Sequence, residues 1–204
     1  MSHISYTDEE LRILMDRAYR GAVTWEGRVP QADDGLSEDE LRWLLTELSQ
    51  TPDSARRTSL LNILEHAGTS SPNSSRPVLE SLLAGPDPLA ASSALWILCW
   101  SWGLSSNYTE QLRSFIRGVS WDPYGYLRRD ALNLAADYLR FHKDSMLLRD
   151  IVDLYEQVAN DEGPDHSTLF NTLYEILGCP DVSKADVLRR IRNRLAEEEG
   201  QATG

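Results

Sequence analysis

A run of 17 residues with almost no charge, Asp87 to Gly103, most constrains what this chain can fold into. Its sequence, DPLAASSALWILCWSWG, opens with an Asp-Pro helix start signal and closes on a glycine. A helix that is apolar nearly all round belongs in the interior of a protein. The segment is too short, and too rich in serine and tryptophan, for a membrane span. We therefore predict a central helix that buries Leu95 and Trp96 between neighbours on both sides.

Helix start signals recur along the rest of the chain, and no segment shows the pattern of a strand. Thr7 with Glu10 and Ser37 with Glu40 form two capping boxes, each followed by an amphipathic stretch. Residues 21–36 between them have no helical period and hold three glycines and a proline. These signals predict an all-α protein whose longest loop is 21–36.

From residue 52 onward the chain repeats a two-helix pattern. An acid and a proline mark the start of each first helix, at Pro52-Asp53, Asp87-Pro88, Asp122-Pro123 and Pro164-Asp165. The anchors that follow are spaced by 34, 38 and 42 residues, at Ala55, Leu89, Leu127 and Leu169. A second amphipathic helix is predicted after each, at about 74–84, 107–119, 144–159 and 183–199. Helix pairs at this period resemble HEAT-like repeats, an armadillo-type helical family.

The resemblance covers residues 37–199 and is carried by the spacing and by segments such as LRRDALNLAADYL at 127–139. It implies stacked antiparallel helix pairs that form a short right-handed HEAT-like solenoid. It also implies one α-helical repeat domain over 1–204. The expected parts are N-terminal capping helices with a long loop (1–51), about four helix pairs (52–199) and a frayed tail (200–204).

Charge and cysteine content bear on location and partners. The net charge is −12, from 32 acidic and 20 basic residues, and 18 of the basic residues are arginines, a skew typical of GC-rich bacterial genomes. The N-terminus shows no secretory signal, and Cys99 and Cys179 do not suggest a disulfide framework, so we expect a cytoplasmic location. An acidic surface repels nucleic-acid backbones and attracts basic proteins, although solubility explains the charge equally well. We expect neither a nucleic acid nor a membrane as partner.

The sequence holds no cluster typical of catalysis or metal binding. Its four histidines are scattered, none lies four residues from another, and none lies near a cysteine. A phosphate-binding glycine loop and a nucleophile elbow are also missing from the sequence. We therefore expect a protein that is not an enzyme and has no cofactor and no metal site. The alternative is an enzyme on a HEAT-like fold, a DNA glycosylase or a bilin-lyase-like protein.

The segment WDPYGY concentrates three aromatic residues in one turn, Trp121, Tyr124 and Tyr126. Aromatic side chains on a turn supply interface anchors at low entropic cost. Tyr124 and Tyr126 are predicted to bind a partner. Trp121 is assigned to the same candidate site, with internal packing between repeats as the competing interpretation.

The predicted helix 144–159 carries three acids away from its apolar face, Asp150, Asp153 and Glu156. They lie within 121–162, a stretch with nine acids and five bases, whereas 52–120 carries five of each. In HEAT-like solenoids the second helix of a pair commonly lines the concave face, so the resemblance implies that these acids face a ligand. Plain solvation is the competing interpretation.

Together these features predict a non-enzymatic protein-binding module. Small acidic bacterial HEAT-like chains resemble immunity proteins that neutralise toxin domains, and an acidic surface can cover the basic cleft of a toxin or nuclease domain. A regulatory adaptor or scaffold protein is the alternative within the binding class, because such scaffolds host many functions.

Overall fold

The computed structural model describes residues 6–22, 36–67, 72–158, 164–178 and 183–202. All regular secondary structure in these ranges is helical, and no strand occurs in them, which confirms the predicted all-α class. Most of the predicted loop 21–36 lies outside the described residues, as does Cys179.

Ten α-helices are found in the described ranges: α1 (Asp8–Ala22), α2 (Glu38–Gln50), α3 (Ser54–Ala67), α4 (Pro72–Leu83), α5 (Pro88–Trp96), α6 (Thr109–Arg117), α7 (Tyr126–Phe141), α8 (Ser145–Gln157), α9 (Pro164–Leu177) and α10 (Lys184–Ala202). A π-helical turn, Ile97–Ser101, extends α5, and a 3₁₀ turn, Ser105–Asn107, precedes α6. No helix within these ranges combines the length and apolarity that crossing a membrane requires.

Contacts between Cα atoms divide the chain into two compact units, Met1–Gly103 (unit 1) and Leu104–Gly204 (unit 2). In unit 1, α3 packs against α1, α2 and α5, and α4 packs against α2 and α5. In unit 2, α7 packs against α6, α8 and α9, while α8 and α10 pack against each other and against α9, and α6 also packs on α8. A single repeat domain over 1–204 stays a prediction.

Side-chain caps fix where the helices begin. The two predicted capping boxes are present: the Thr7 backbone N–H donates to Glu10 Oε2 at 2.7 Å, and that of Ser37 donates to Glu40 Oε2 at 2.8 Å. Asp53 caps α3 in the same way, because its Oδ1 accepts from the Ala55 N–H at 2.9 Å. Each carboxylate satisfies a backbone donor that the helix itself leaves without a partner.

The uncharged stretch forms α5 and its π-helical turn, and its start is fixed by Asp87. Asp87 Oδ1 accepts from the N–H groups of Leu89 and Ala90, both at 3.1 Å, while Oδ2 accepts from Arg57 Nη1 of α3 at 2.6 Å. One carboxylate therefore caps α5 and joins it to α3.

The predicted burial of this helix on all sides is wrong. Leu95 is fully buried, as predicted, but Trp96 is only half-buried and Trp100 is 55% exposed. The two indole rings stack on each other with centroids 5.6 Å apart. α5 packs against α3 and α4, and this packing covers the face of Leu95 while the face of Trp100 stays open.

Glu40 joins the first two helices as well as capping the second. Its two carboxylate oxygens accept from Arg17 of α1, Oε1 from Nη1 at 2.7 Å and Oε2 from Nη2 at 3.2 Å. Burial by itself raises the pKa of Glu40, but the hydrogen bonds from Arg17 and Ser37 outweigh it, and the net effect lowers that pKa. Folding therefore favours the ionised form of this carboxyl.

We expect Leu95→Ala to lower the free energy of unfolding by about 3 kcal/mol, because it empties space in a packed core. Trp100→Ala on the open face of the same helix should change it by less than about 1 kcal/mol. Urea titrations of both variants and the parent measure the difference. Equal losses would mean that the two faces of α5 are equally buried.

Glu40→Gln should lower stability at pH 7, and its difference from the parent should disappear in acid. The folded-state pKa of Glu40 lies below its unfolded value of about 4.3, so the stabilisation is complete above that value and is lost as pH falls through the folded pKa. Urea titrations between pH 7 and pH 3 test this. The control is Asp39→Asn, whose exposed pair with Arg42 is worth less than about 1 kcal/mol. A pH-independent difference for Glu40→Gln would contradict the prediction.

Candidate functional site

The segment Trp121–Tyr126, here called the aromatic turn, connects α6 to α7 and is held by one carboxylate. Asp122 accepts hydrogen bonds at 3.0–3.2 Å from the backbone N–H groups of the first three residues of α7, Tyr126, Leu127 and Arg128. Gly125 has φ of 67°, a left-handed conformation that glycine adopts without strain. The turn and the start of α7 therefore form one rigid piece.

The three aromatic side chains of this turn have different surroundings. Tyr124 is 82% exposed and Tyr126 is 46% exposed, and their ring centroids lie 6.0 Å apart. Trp121 is half-buried and meets the buried Phe115 of α6 edge-on at 6.1 Å. The tyrosines form an exposed pair, whereas Trp121 contributes to the packing of unit 2.

A cleft of about 350 Å³ opens beside the tyrosines, entirely within unit 2. Its described walls come from the aromatic turn, α7, the end of α8 and the start of α9. We call it the turn cleft, and its apolar lining outside the aromatic turn is Leu132, Leu154, Val158 and Leu169. Leu132 and Leu169 are nearly buried, whereas Leu154 and Val158 are partly open.

Two arginines of α7 also line the turn cleft, and they differ in their partners. Arg129 lies near the Tyr126 ring, with its Cζ 5.9 Å from the ring centroid, and its Nε is 3.8 Å from Asp130 Oδ1. Arg128 forms no side-chain hydrogen bond or ion pair with any residue the structure describes, and its Nε is buried without an acceptor. One cation of the cleft is thus left without a counter-ion among the described residues.

Gly118, directly after α6, leaves the space in which the Arg128 guanidinium lies. A Cβ at this position would lie 2.1 Å from Nη2 of Arg128, so the guanidinium occupies the space that any other side chain would need. The φ of Gly118 is 97°, which also favours glycine. The Arg128 side chain therefore packs against backbone, and this limits the orientations it can take.

Asp150, one of the three predicted acids, is engaged inside unit 2. Its side chain is 12% exposed, and its carboxylate accepts from Arg113 Nε at 2.6 Å and Arg117 Nη2 at 2.9 Å. Burial by itself lowers the pKa of Arg113, but its hydrogen bonds to Asp150 and Glu110 raise it overall. The helical period correctly takes Asp150 off the apolar face of α8, yet α6 covers it there.

The other two acids of α8 are more accessible. Glu156 is half-exposed and pairs with Arg192 of α10 at 2.8 Å. Asp153 is exposed and has no hydrogen bond or ion pair with the described residues. The partner-binding role of all three acids stays a prediction. Asp153 has the only carboxylate of the three that forms no hydrogen bond or ion pair with a described arginine, and it interacts electrostatically with Arg149 of the same helix.

The sequence patterns predicted neither the turn cleft nor the position of Arg128 in its lining. Two glycines in the sequence, Gly118 before the aromatic turn and Gly125 within it, signal unusual backbone there. No sequence pattern indicates that an α7 arginine packs on the first glycine, because that contact joins two helices. Within the described residues, no group of three or more His, Cys, Asp or Glu side chains is arranged to hold a metal ion.

No protein-family profile matches the chain, and no curated protein or solved structure shows significant similarity to it.

Asp150→Asn should lower the free energy of unfolding by about 3 kcal/mol, because it removes the buried one of the two carboxylates that pair with the largely buried Arg113. The matched control is Asp153→Asn, one turn along the same helix and exposed, which should change it by less than about 0.5 kcal/mol. Urea titration measures both. Similar values for the two variants would contradict the structural role of Asp150.

Proposed function

We propose that this chain is a non-enzymatic protein-binding module that presents its aromatic turn to a partner. The observation that carries the proposal is the pair of exposed rings, Tyr124 and Tyr126, on a turn that the Asp122 carboxylate holds rigid. Binding anchors of this kind are enriched in tyrosine, and a fixed turn loses little conformational freedom when a partner binds. The adjoining turn cleft offers room for side chains of that partner.

The proposed scaffold is a short right-handed HEAT-like solenoid. Packing within each unit supports it: α3 lies against both α1 and α5 in unit 1, and α8 lies against both α6 and α10 in unit 2. Helices at alternate positions in the chain thus pack side by side. In stacked repeats the first helices of neighbouring repeats lie next to each other in this way, and so do the second helices. Such scaffolds commonly bind proteins through exposed turns and helix faces.

The proposed biological role is that of an acidic immunity or inhibitor protein which covers a basic toxin or nuclease domain. The net charge of −12 supports a basic partner, since opposite charge accelerates association. Asp150 and Glu156 are paired with arginines. Among the three acids of α8, Asp153 is therefore the main proposed source of local attraction to a basic partner. The proposed interface therefore has Tyr124 and Tyr126 as anchors and Asp153 as a source of attraction.

Tyr124→Ala and Tyr126→Ala should each speed dissociation of the partner by about tenfold, because truncating an aromatic anchor costs more than about 1 kcal/mol. Asp153→Asn should instead slow association and weaken its dependence on salt. The measurement is surface plasmon resonance with the protein that copurifies from the native host.

The matched control is Phe141→Ala, which removes another exposed aromatic ring of unit 2, 72% accessible, outside the aromatic turn. It should bind like the parent. If both tyrosine variants also dissociate like the parent, the aromatic turn is not the interface.

A further inference from the structure

We propose that the turn cleft binds a carboxylate that a segment of the protein partner carries beside an aliphatic side chain. This inference rests on the proposed protein-binding function and deepens it, because it names the chemistry that the cleft recognises. It concerns Arg128 and the apolar lining of the cleft, neither of which the sequence analysis assigned to a site.

The charge of the cleft is opposite to that of the chain as a whole. Its described lining contains Arg128 and Arg129, and Asp122 is the one acid among those residues. The Asp122 carboxylate keeps its negative charge but accepts hydrogen bonds from three backbone N–H groups of α7 and from neither arginine. The described lining therefore carries two cations and one anion, on a chain of net charge −12.

Arg128 differs from the arginines of α6 and α8 and from Arg192 of α10. Arg113, Arg117, Arg149 and Arg192 of unit 2 all form ion pairs with acids of neighbouring helices. Arg128 forms none with the described residues, and its Nε is buried without an acceptor. A guanidinium matches the two oxygens of a carboxylate, and such charge-assisted pairs are among the stronger hydrogen-bonding interactions in proteins.

The position of the Arg128 guanidinium favours its binding of a carboxylate ligand. The guanidinium packs on Gly118, where it fills the space of an absent Cβ, so part of its conformational freedom is already lost in the free protein. A ligand that meets a preorganised group has a smaller entropic cost.

The remaining residues that line the cleft indicate that the ligand also carries an aliphatic group. Leu132, Leu154, Val158 and Leu169 offer an apolar surface in the cleft that Arg128 also lines. A volume of about 350 Å³ is at the small end for ligand sites, which suits one or two residues of a peptide. Tyr124 and Tyr126 line the opening and are available to a longer segment.

Small acids and their matched amides test this chemistry without the partner. The probes are N-acetyl-leucine and N-acetyl-leucinamide, which mimic a chain terminus, and the blocked dipeptides acetyl-Leu-Glu-amide and acetyl-Leu-Gln-amide, which mimic a side chain. NMR titration of the full-length ¹⁵N-labelled protein follows the Arg128 Nε–H signal and the backbone amides of Gly118 and Gly125.

We expect at least one acid to bind with a dissociation constant of about 10 mM or lower, because the probes have about one to two dozen non-hydrogen atoms. Its amide should bind at least about fivefold more weakly. The acid that binds more tightly identifies the source of the carboxylate. Equal affinity for acid and amide would overturn the proposal, as would acetate or inorganic phosphate binding as tightly as the aliphatic acids.

Substitutions assign the effect to Arg128. Arg128→Gln should abolish the preference for the acid, and Arg128→Lys should weaken it because an ammonium lacks the planar fork. The matched control is Arg140→Gln, which removes another exposed cation of α7 that does not line the turn cleft and should keep the preference. Thermal melting checks that each variant is folded, and a preference that survives in folded Arg128→Gln contradicts the proposal.

A further variant tests whether acids of this chain occupy the cleft. Asp161 and Glu162 follow Val158 closely in the sequence. Asp161→Asn with Glu162→Gln should leave the Arg128 Nε–H signal and the probe affinity unchanged. If that signal moves and the acid binds more tightly, the occupant is the chain itself and the inference is wrong.

The experiments distinguish failure of the proposed aromatic-turn interface from failure of the proposed carboxylate binding in the turn cleft. The titrations use no partner, so an acid preference that depends on Arg128 stands even if Tyr124→Ala and Tyr126→Ala leave partner kinetics unchanged. In that case the aromatic turn fails as the interface while the chemistry of the cleft holds.

Discussion

Carboxylates at helix starts are the interaction on which the rest of this structure depends. The first turn of a helix leaves backbone N–H groups without acceptors, and acids placed before or within that turn supply them at α1, α2, α3, α5, α7 and α8. Some of these carboxylates also reach a second helix: Asp87 bonds Arg57 of α3, and Glu40 bonds Arg17 of α1. Helix termini and helix packing are therefore fixed by the same groups.

This use of acids changes the meaning of the net charge. A value of −12 suggests a broadly negative surface, yet many carboxylates are occupied by backbone N–H groups or by arginines of adjacent helices. Asp150 is the clearest case, because two arginines of α6 surround an acid that a helical wheel places on an open face. Asp153 is among the exposed carboxylates that form no such bond with the described residues.

The candidate site depends on a carboxylate of the same kind. Asp122 accepts hydrogen bonds from the start of α7, which fixes the turn that carries the two exposed tyrosines, and it forms no hydrogen bond with the Arg128 guanidinium. Gly118 then provides the space in which the guanidinium lies. An exposed aromatic pair thus adjoins a cleft with apolar walls and two arginines, which is the combination on which the proposed recognition of a protein segment rests.

The sequence by itself determined the helices and their starting points. Capping boxes at Thr7 and Ser37 and the Asp-Pro signal at Asp87 depend on neighbours within four residues, so local physics decides them. The nearly uncharged character of the segment likewise predicted that Leu95 is buried, and Leu95 is fully buried.

Only the tertiary structure decided which faces are covered. Helical period gives the angle of a residue around its axis but not the identity of the helix that packs there. For this reason Trp100, on an apolar helix, is exposed, and Asp150, on a polar face, is nearly buried. The turn cleft depends on the same long-range contacts, since its walls come from α7, α8 and α9, and Arg128 meets Gly118 only when α6 and α7 pack together.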